Sequence, residues 1–133
     1  MKWAFRSLVL LCFLACRDPN SYQPFDPTKP DPPGPPVLTS PANGWLSKDF
    51  AYPQKVDFAW QPVPGAQFYE MQCNTDSLFP IAYPGPHIYQ TSLAESVQSY
   101  GLYYWRVRAA GSNWNNYTDW SVPFHFALPN PGR

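Results

Sequence analysis

The sequence predicts an all-β fold, an antiparallel β-sandwich of about seven strands, on three observations. Segments after residue 36 alternate apolar and polar residues with a period of two, which places alternate side chains on opposite faces of a strand. Clusters of Gly, Pro, Asn and Asp separate these segments, as turns separate the short strands of a sandwich. No segment shows a sustained helical period, and the 18 prolines among 133 residues disfavour helices.

Six segments carry this strand pattern. They are residues 36–40, 55–60, 67–74, 87–91, 102–109 and 120–126, of which 87–91 is the weakest and 102–109 the clearest. Parity assigns one set of side chains to the gap between two sheets: Val56, Phe58, Tyr69, Met71, Cys73, Trp105, Val107, Phe124 and Phe126. In the last segment, parity also aligns Trp120 and Val122 with Phe124 and Phe126.

Residues 1–15 have the form of an export signal. Lys2 and Arg6 precede an unbroken apolar run at residues 8–15, which is too short to span a bilayer as a helix. The run ends at Ala15-Cys16, which resembles a bacterial lipobox, where a small residue precedes the cysteine that becomes the lipid-modified first residue. The resemblance implies that Cys16 is the lipidation site and that its acyl chains anchor the protein in a membrane.

The three cysteines leave one alternative open. Cys12 departs with the signal and Cys16 takes the lipid, so Cys73 has no partner for an internal disulfide. If Cys16 is instead left unmodified after cleavage, a Cys16–Cys73 disulfide becomes feasible in an oxidising compartment. The mature protein would then be a freely secreted module.

Residues 16–35 form a proline-rich linker between the signal and the strands. Such a composition favours an extended polyproline II conformation over a packed core. We expect a semi-rigid spacer that holds the folded domain away from the membrane, and its most proline-rich part, residues 19–36, would reach about 55 Å if fully extended.

Several short motifs in residues 36–128 carry a family resemblance. The turn Ser-Pro-Ala-Asn-Gly at 40–44, the stretch from Trp60 to Pro-Val-Pro-Gly-Ala at 62–66, Tyr-Tyr-Trp-Arg-Val-Arg-Ala at 103–109 and Asp-Trp-Ser at 119–121 resemble a bacterial fibronectin type III-like domain. The resemblance implies an immunoglobulin-like sandwich over residues 36–128, followed by a C-terminal tail at 129–133. It also implies a tyrosine corner, supplied by Tyr103 or Tyr104.

Composition and motifs argue against several function classes. Nine basic and nine acidic side chains give a net charge of zero, without the basic excess expected of nucleic-acid-binding proteins. The sequence lacks the common catalytic motifs, and its two histidines, His87 and His125, have no further ligands at metal-binding spacing. We therefore expect no enzyme activity, no cofactor and no metal site.

The candidate ligand-binding residues lie between the last two strands, at residues 111–119. Trp114 and Tyr117 fall outside the core pattern there, and Asn115 would add hydrogen bonds to a protein or glycan ligand. The alternative for Trp114 is that its ring folds back over the edge of the sandwich. On the predicted outer face, Glu70 is expected to form a cross-strand ion pair with an arginine of the 102–109 strand, worth a few tenths of a kcal/mol. The alternative there is a ligand-contacting stripe of Arg106 and Arg108.

The sequence therefore predicts a non-catalytic lipoprotein of the bacterial cell envelope. It would be exported and membrane-anchored, at the outer membrane or cell surface, and would present one β-sandwich for protein or glycan binding or for a structural role. The alternative is a secreted adhesion or carbohydrate-binding module without the lipid. The composition indicates no particular oligomeric state.

Overall fold

The computed structural model describes residues 25–80 and 85–132. The export signal, the lipidation site Cys16 and the first part of the proline-rich linker lie outside the described residues. The described part contains seven strands: β1 (Leu38–Ser40), β2 (Trp45–Leu46), β3 (Gln54–Trp60), β4 (Phe68–Asn74), β5 (Ser92–Val97), β6 (Gly101–Ala110) and β7 (Phe124–Leu128). Within it, no helix is long and apolar enough to cross a membrane.

The strands form the two sheets of an all-β sandwich, which confirms the predicted fold class. One sheet has the order β1-β3-β5 and the other β2-β7-β6-β4. Neighbouring strands pair antiparallel, except that the two-residue β2 runs parallel to β7. β2 is absent from the predicted segments, because a two-residue strand has no measurable alternation.

Aromatic side chains fill the gap between the sheets. The ring of Phe58 on β3 lies 5.0 Å from Trp105 on β6 and 5.8 Å from Phe126 on β7, edge-to-face in both cases. Val56 and Val107 complete the set of largest fully buried side chains. Each such side chain stabilises the fold by roughly 1.5–3 kcal/mol through burial. Of the nine side chains assigned to the gap between the sheets, only that of Cys73 is misplaced, because this residue is exposed.

Tyr103 supplies the tyrosine corner. Its hydroxyl donates to the carbonyl of Ser99, four residues upstream, at 2.8 Å, and its ring stacks on Phe126 at 5.4 Å. Tyr104 points to the other face of β6, where its ring lies 6.1 Å from His125. Tyr103 shares the face of Trp105 and Val107 on β6, and this orientation makes it, of the two candidates, the tyrosine that closes this corner.

The weak strand predicted at 87–91 is wrong as a strand. Only Ile88 pairs there, in a single antiparallel bridge to Tyr69, and the true strand β5 follows at Ser92–Val97. Pro86 has no N–H to donate to a ladder, which limits pairing before Ile88. The sequence of β5, Ser-Leu-Ala-Glu-Ser-Val, carries few of the β-branched and aromatic residues that mark a strand.

The predicted last strand is also shorter than expected, because β7 begins only at Phe124. Upstream of it, the N–H groups of Thr118 and Ser121 still donate to β6, to the carbonyls of Ala109 and Val107, but their hydroxyls take the place of the backbone acceptors. Thr118 Oγ1 accepts from the Ala109 N–H at 3.0 Å, and Ser121 Oγ accepts from the Val107 N–H at 3.1 Å. The residues between Thr118 and Ser121 therefore do not follow the alternation of core-facing and outward-facing side chains.

Two parity assignments in this stretch are consequently wrong. Trp120 lies over the outer face of β6 instead of facing the core, with its ring against two arginines. Val122 is exposed. The parity holds from Phe124 onward, because regular pairing with β6 resumes there.

Candidate functional site

The loop between β6 and β7, residues 111–119, lies at the end of the sandwich where β6 finishes. The expectation that Trp114 lies outside the core is wrong: its side chain is buried and belongs to the core cluster. Two glycines make room for the indole. A Cβ on Gly65 would lie 3.2 Å from the Trp114 ring, and one on Gly111 would lie 2.9 Å from it. The alternative prediction, that the Trp114 ring folds back onto the sandwich, is therefore the one the structure supports. Its burial removes the reason for giving Trp114 a ligand-binding role.

Asn115 binds the protein's own proline-rich segment. Its N–H donates to the carbonyl of Pro30 and its carbonyl accepts from the N–H of Asp26, both at 2.8 Å. Its side-chain amide donates to Asp31 Oδ1 at 2.6 Å. Because both backbone groups and the amide are engaged, Asn115 fastens the second half of the segment to the loop.

A local turn shapes the proline-rich segment where it meets Asn115. The Asp26 carboxylate accepts from the Thr28 hydroxyl at 2.6 Å and from the Thr28 N–H at 3.0 Å. These bonds, followed by the nearby Lys29 charge, lower the pKa of Asp26. The segment was expected to be an extended spacer over its whole length. Instead, residues 26–31 turn and contact the domain.

The docked segment and the loop enclose a groove of about 360 Å³. Its lining residues come from two stretches far apart in the chain: Phe25, Asp31, Pro32 and Pro33 on one side, and Asn115, Asn116, Tyr117 and Asp119 on the other. Two of the three predicted ligand-binding residues, Asn115 and Tyr117, thus line one concave surface. Sequence reasoning missed the opposite wall, since nothing in a proline-rich stretch shows which loop it contacts.

Tyr117 also takes part in an arginine–aromatic stack on the outer face of β6. The stack consists of Phe79, Arg106, Trp120, Arg108 and Tyr117, in that order. Each guanidinium lies between two rings, with carbon-to-centroid distances of 4.3 and 4.5 Å for Arg106 and of 3.9 and 4.6 Å for Arg108. Such contacts contribute about 0.5–2 kcal/mol each, depending on exposure.

A turn with a strained backbone positions Phe79, the ring at one end of the stack. Phe79 has a φ of 48°, in the left-handed region that non-glycine residues rarely adopt. The turn is held by the Asp76 side chain, which accepts from the Leu78 N–H at 2.9 Å. The resulting geometry sets the Phe79 ring over Arg106, at the start of the stack.

The arginines are paired with polar side chains of β4, as the register of β4 and β6 dictates. Glu70 Oε2 accepts from Arg108 Nε at 2.8 Å and from Nη2 at 2.6 Å, while Glu70 Oε1 accepts from the Tyr117 hydroxyl at 3.1 Å. Arg106 Nε donates to Gln72 at 2.9 Å. Desolvation, with the neighbouring Arg108 charge, lowers the pKa of Arg106. The expected cross-strand ion pair is therefore confirmed, but Glu70 is only 2% exposed, unlike an ordinary surface pair.

A second cleft, of about 260 Å³, opens between β4 and β5. Its walls are mainly apolar, and Cys73 and Glu95 are its titratable groups. Although Cys73 as a residue is exposed, desolvation of its thiol beside these walls, followed by the charge of Glu95, raises the pKa of Cys73 to about 12. A thiol with that pKa is protonated at neutral pH and is a poor nucleophile.

Neither histidine lies in a metal-binding arrangement. His87 stacks on Phe68 with 3.8 Å between the ring centroids, and His125 lies beside Tyr104 on the outer face of its sheet. In residues 25–80 and 85–132, no three His, Cys, Asp or Glu side chains are grouped to hold a metal ion.

Comparison with known proteins supports the fold. No family model matches the chain, and no curated protein is significantly similar to it. Among solved structures, an Fn3-like protein from Clostridium thermocellum aligns over 75% of this chain and 97% of its own, with a TM-score of 0.50 and 19% identity. A beta-1,2-glucanase from Parabacteroides distasonis aligns over 78% of this chain but only 14% of its own, with a TM-score of 0.52 and 14% identity. At these identities the similarity shows the fold alone: the chain is a β-sandwich of the fibronectin type III-like kind.

Proposed function

We propose that this chain is an exported, lipid-anchored, non-catalytic module of the bacterial cell envelope, which presents its single β-sandwich for binding. The anchor is assigned to Cys16, on the strength of the basic start, the short apolar run and the Ala15-Cys16 junction. A binding role fits the groove where the proline-rich segment meets the loop after β6, because recognition residues are often carried by loops on a rigid scaffold.

The single observation that carries the proposal is the contact of Asn115 with Asp26, Pro30 and Asp31. The proline-rich segment follows Cys16 in the chain. This contact attaches it to the end of the sandwich that carries the candidate binding loop. The non-catalytic assignment is supported by the contacts of the charged side chains on the outer face of β4 and β6, each of which has a polar partner there. Glu70 pairs with Arg108, and Arg106 donates to Gln72, which are contacts expected of side chains that stabilise the fold.

Detergent phase partitioning combined with intact mass measurement tests the anchor. The full-length protein and the Cys16→Ala variant are expressed in a bacterial host, with Cys12→Ala as the matched control. Cys12 lies in the apolar run, so its replacement by alanine should leave export and modification unchanged. We expect wild type and Cys12→Ala to enter the detergent phase with added acyl mass and Cys16→Ala to stay aqueous.

The opposite outcome supports the secreted alternative. If the wild type also stays aqueous, cleaved and without acyl mass, the protein is a free module. Peptide mapping under non-reducing conditions would then show whether Cys16 pairs with Cys73. Release of product from a panel of glycan, peptide and ester substrates by purified protein would overturn the non-catalytic assignment.

A further inference from the structure

We propose that the groove between the proline-rich segment and the loop after β6 binds a neutral saccharide. This inference rests on the proposed binding role and names the ligand class. It does not depend on whether Cys16 carries a lipid. Its first support is architectural: both walls are fixed, because three hydrogen bonds to Asn115 hold them together. The volume of about 360 Å³ lies in the lower part of the range of small-molecule sites.

The polar groups of the groove suit a ligand rich in hydroxyls. Asp31 has one carboxylate oxygen on Asn115, which leaves the other as an acceptor. The Asp119 carboxylate accepts no hydrogen bond from any described residue and is exposed. The Asn116 side-chain oxygen accepts from the Tyr117 N–H at 2.8 Å, so its amide N–H₂ group remains to donate. Acceptors and a donor therefore converge on one space, as recognition of sugar hydroxyls requires.

The groove also offers flat apolar surfaces. Phe25 is 67% exposed, and the rings of Pro32 and Pro33 lie beside it in the lining. Tyr117 lines the opposite wall, where its ring already stacks on the Arg108 guanidinium. The C–H faces of a pyranose ring pack on such surfaces while its hydroxyls reach the polar groups at the edge. This mixture of rings and a few placed polar groups is typical of small-ligand sites.

The charge of the groove selects among saccharides. Asp31 and Asp119 are its charged side chains, and no Lys or Arg is among the described residues that line it. A uronic or sialic acid would bring a third negative charge close to two carboxylates, which weakens binding. We therefore assign neutral saccharides and not acidic ones to the groove.

The test uses the full-length protein in detergent, applied to an array of neutral and acidic glycans. The neutral glycan with the strongest signal is then titrated by calorimetry. Two variants remove groove contacts without touching the hydrogen bonds to Asn115: Asp119→Asn and Phe25→Ala. Their matched controls, Asp57→Asn and Phe50→Ala, change exposed residues that do not line the groove.

We expect neutral glycans to be captured in preference to acidic ones, and each groove variant to weaken binding at least about tenfold. The two controls should bind like wild type. Capture of no neutral glycan, preference for acidic glycans, or unchanged binding by both groove variants would overturn the proposal. Binding of a peptide in place of a glycan would have the same consequence.

The two proposals fail separately. If the protein enters the detergent phase but captures no neutral glycan, the proposed anchor stands and the proposed saccharide ligand is wrong. If the protein captures neutral glycans but carries no acyl mass, the proposed saccharide ligand stands and the proposed anchor is wrong.

Discussion

The ion pair between Glu70 and Arg108 should contribute far more to stability than a surface pair. Truncation by Arg108→Ala removes both hydrogen bonds to Glu70 Oε2 and the contacts with the rings of Tyr117 and Trp120. It leaves a carboxylate that is only 2% exposed without its cationic partner. Breaking a buried pair in this way costs about 3–5 kcal/mol. The Arg108 side chain is 26% exposed, so water relieves part of that cost, and we expect about 3 kcal/mol.

Urea unfolding followed by tryptophan fluorescence measures this loss. The matched control is Lys55→Ala, since Lys55 pairs with Asp57 at 3.5 Å with side chains 70% and 73% exposed. Removing that pair should cost less than about 0.5 kcal/mol.

A double variant separates the charge from the packing. Combining Arg108→Ala with Glu70→Gln replaces the unpaired carboxylate by a neutral amide, so the double variant should be more stable than Arg108→Ala alone. If Arg108→Ala costs no more than Lys55→Ala, water reaches Glu70 and our account of a buried pair is wrong. If the double variant is the less stable one, the loss comes from packing and not from the unpaired charge.

The further predictions concern Trp114, Tyr103 and Cys73. Trp114→Ala should lower the free energy of unfolding by about 3 kcal/mol because the indole of Trp114 is buried. A loss below about 1 kcal/mol in urea unfolding would show that the Trp114 side chain is exposed. Tyr103→Phe should cost about 1 kcal/mol through loss of the bond to Ser99, while Tyr104→Phe should cost less in the same assay. With its pKa raised to about 12, Cys73 has a far smaller thiolate fraction at pH 8 than free cysteine, and the higher nucleophilicity of a more basic thiolate offsets only part of this difference, so Cys73 should react with iodoacetamide about a hundredfold more slowly. The same raised pKa favours the protonated thiol in the folded state, so stability should fall as pH rises above about 8.5; reactivity within tenfold of free cysteine would contradict both expectations.

The alternation of apolar residues predicted the sandwich because each regular strand buries one face. Residues 102–109 show this most clearly, since every second side chain from Tyr103 onward faces the core, as expected. Parity fails where side-chain hydroxyls take the place of backbone acceptors and regular strand pairing is interrupted. Thr118 and Ser121 bond to β6 through their hydroxyls, so Trp120 turns outward although its position in the alternation matches Phe124.

The candidate site was only partly predictable for a similar reason. Asn115 and Tyr117 were singled out because polar and aromatic residues in a loop often bind something. The pattern gave no sign that Asn115 binds the proline-rich segment, because that contact joins residues far apart in the chain. The burial of Trp114 had a local signal, since Gly111 is close to it in sequence. The second glycine, Gly65, comes close to Trp114 only in the fold.

Docking of the proline-rich segment determines which end of the module lies near the proposed anchor. Nine residue steps separate Cys16 from Phe25, and a chain of that length spans at most roughly 30 Å. The expected reach of about 55 Å assumed that all residues up to 36 were extended. Because Phe25 lines the groove, a lipid on Cys16 would keep the groove within that shorter distance of the membrane. The opposite end of the sandwich, where Tyr52 donates to the carbonyl of Pro129, would face outward. A ligand of the groove would then bind within about 30 Å of the membrane, and not at the outward-facing end of the sandwich.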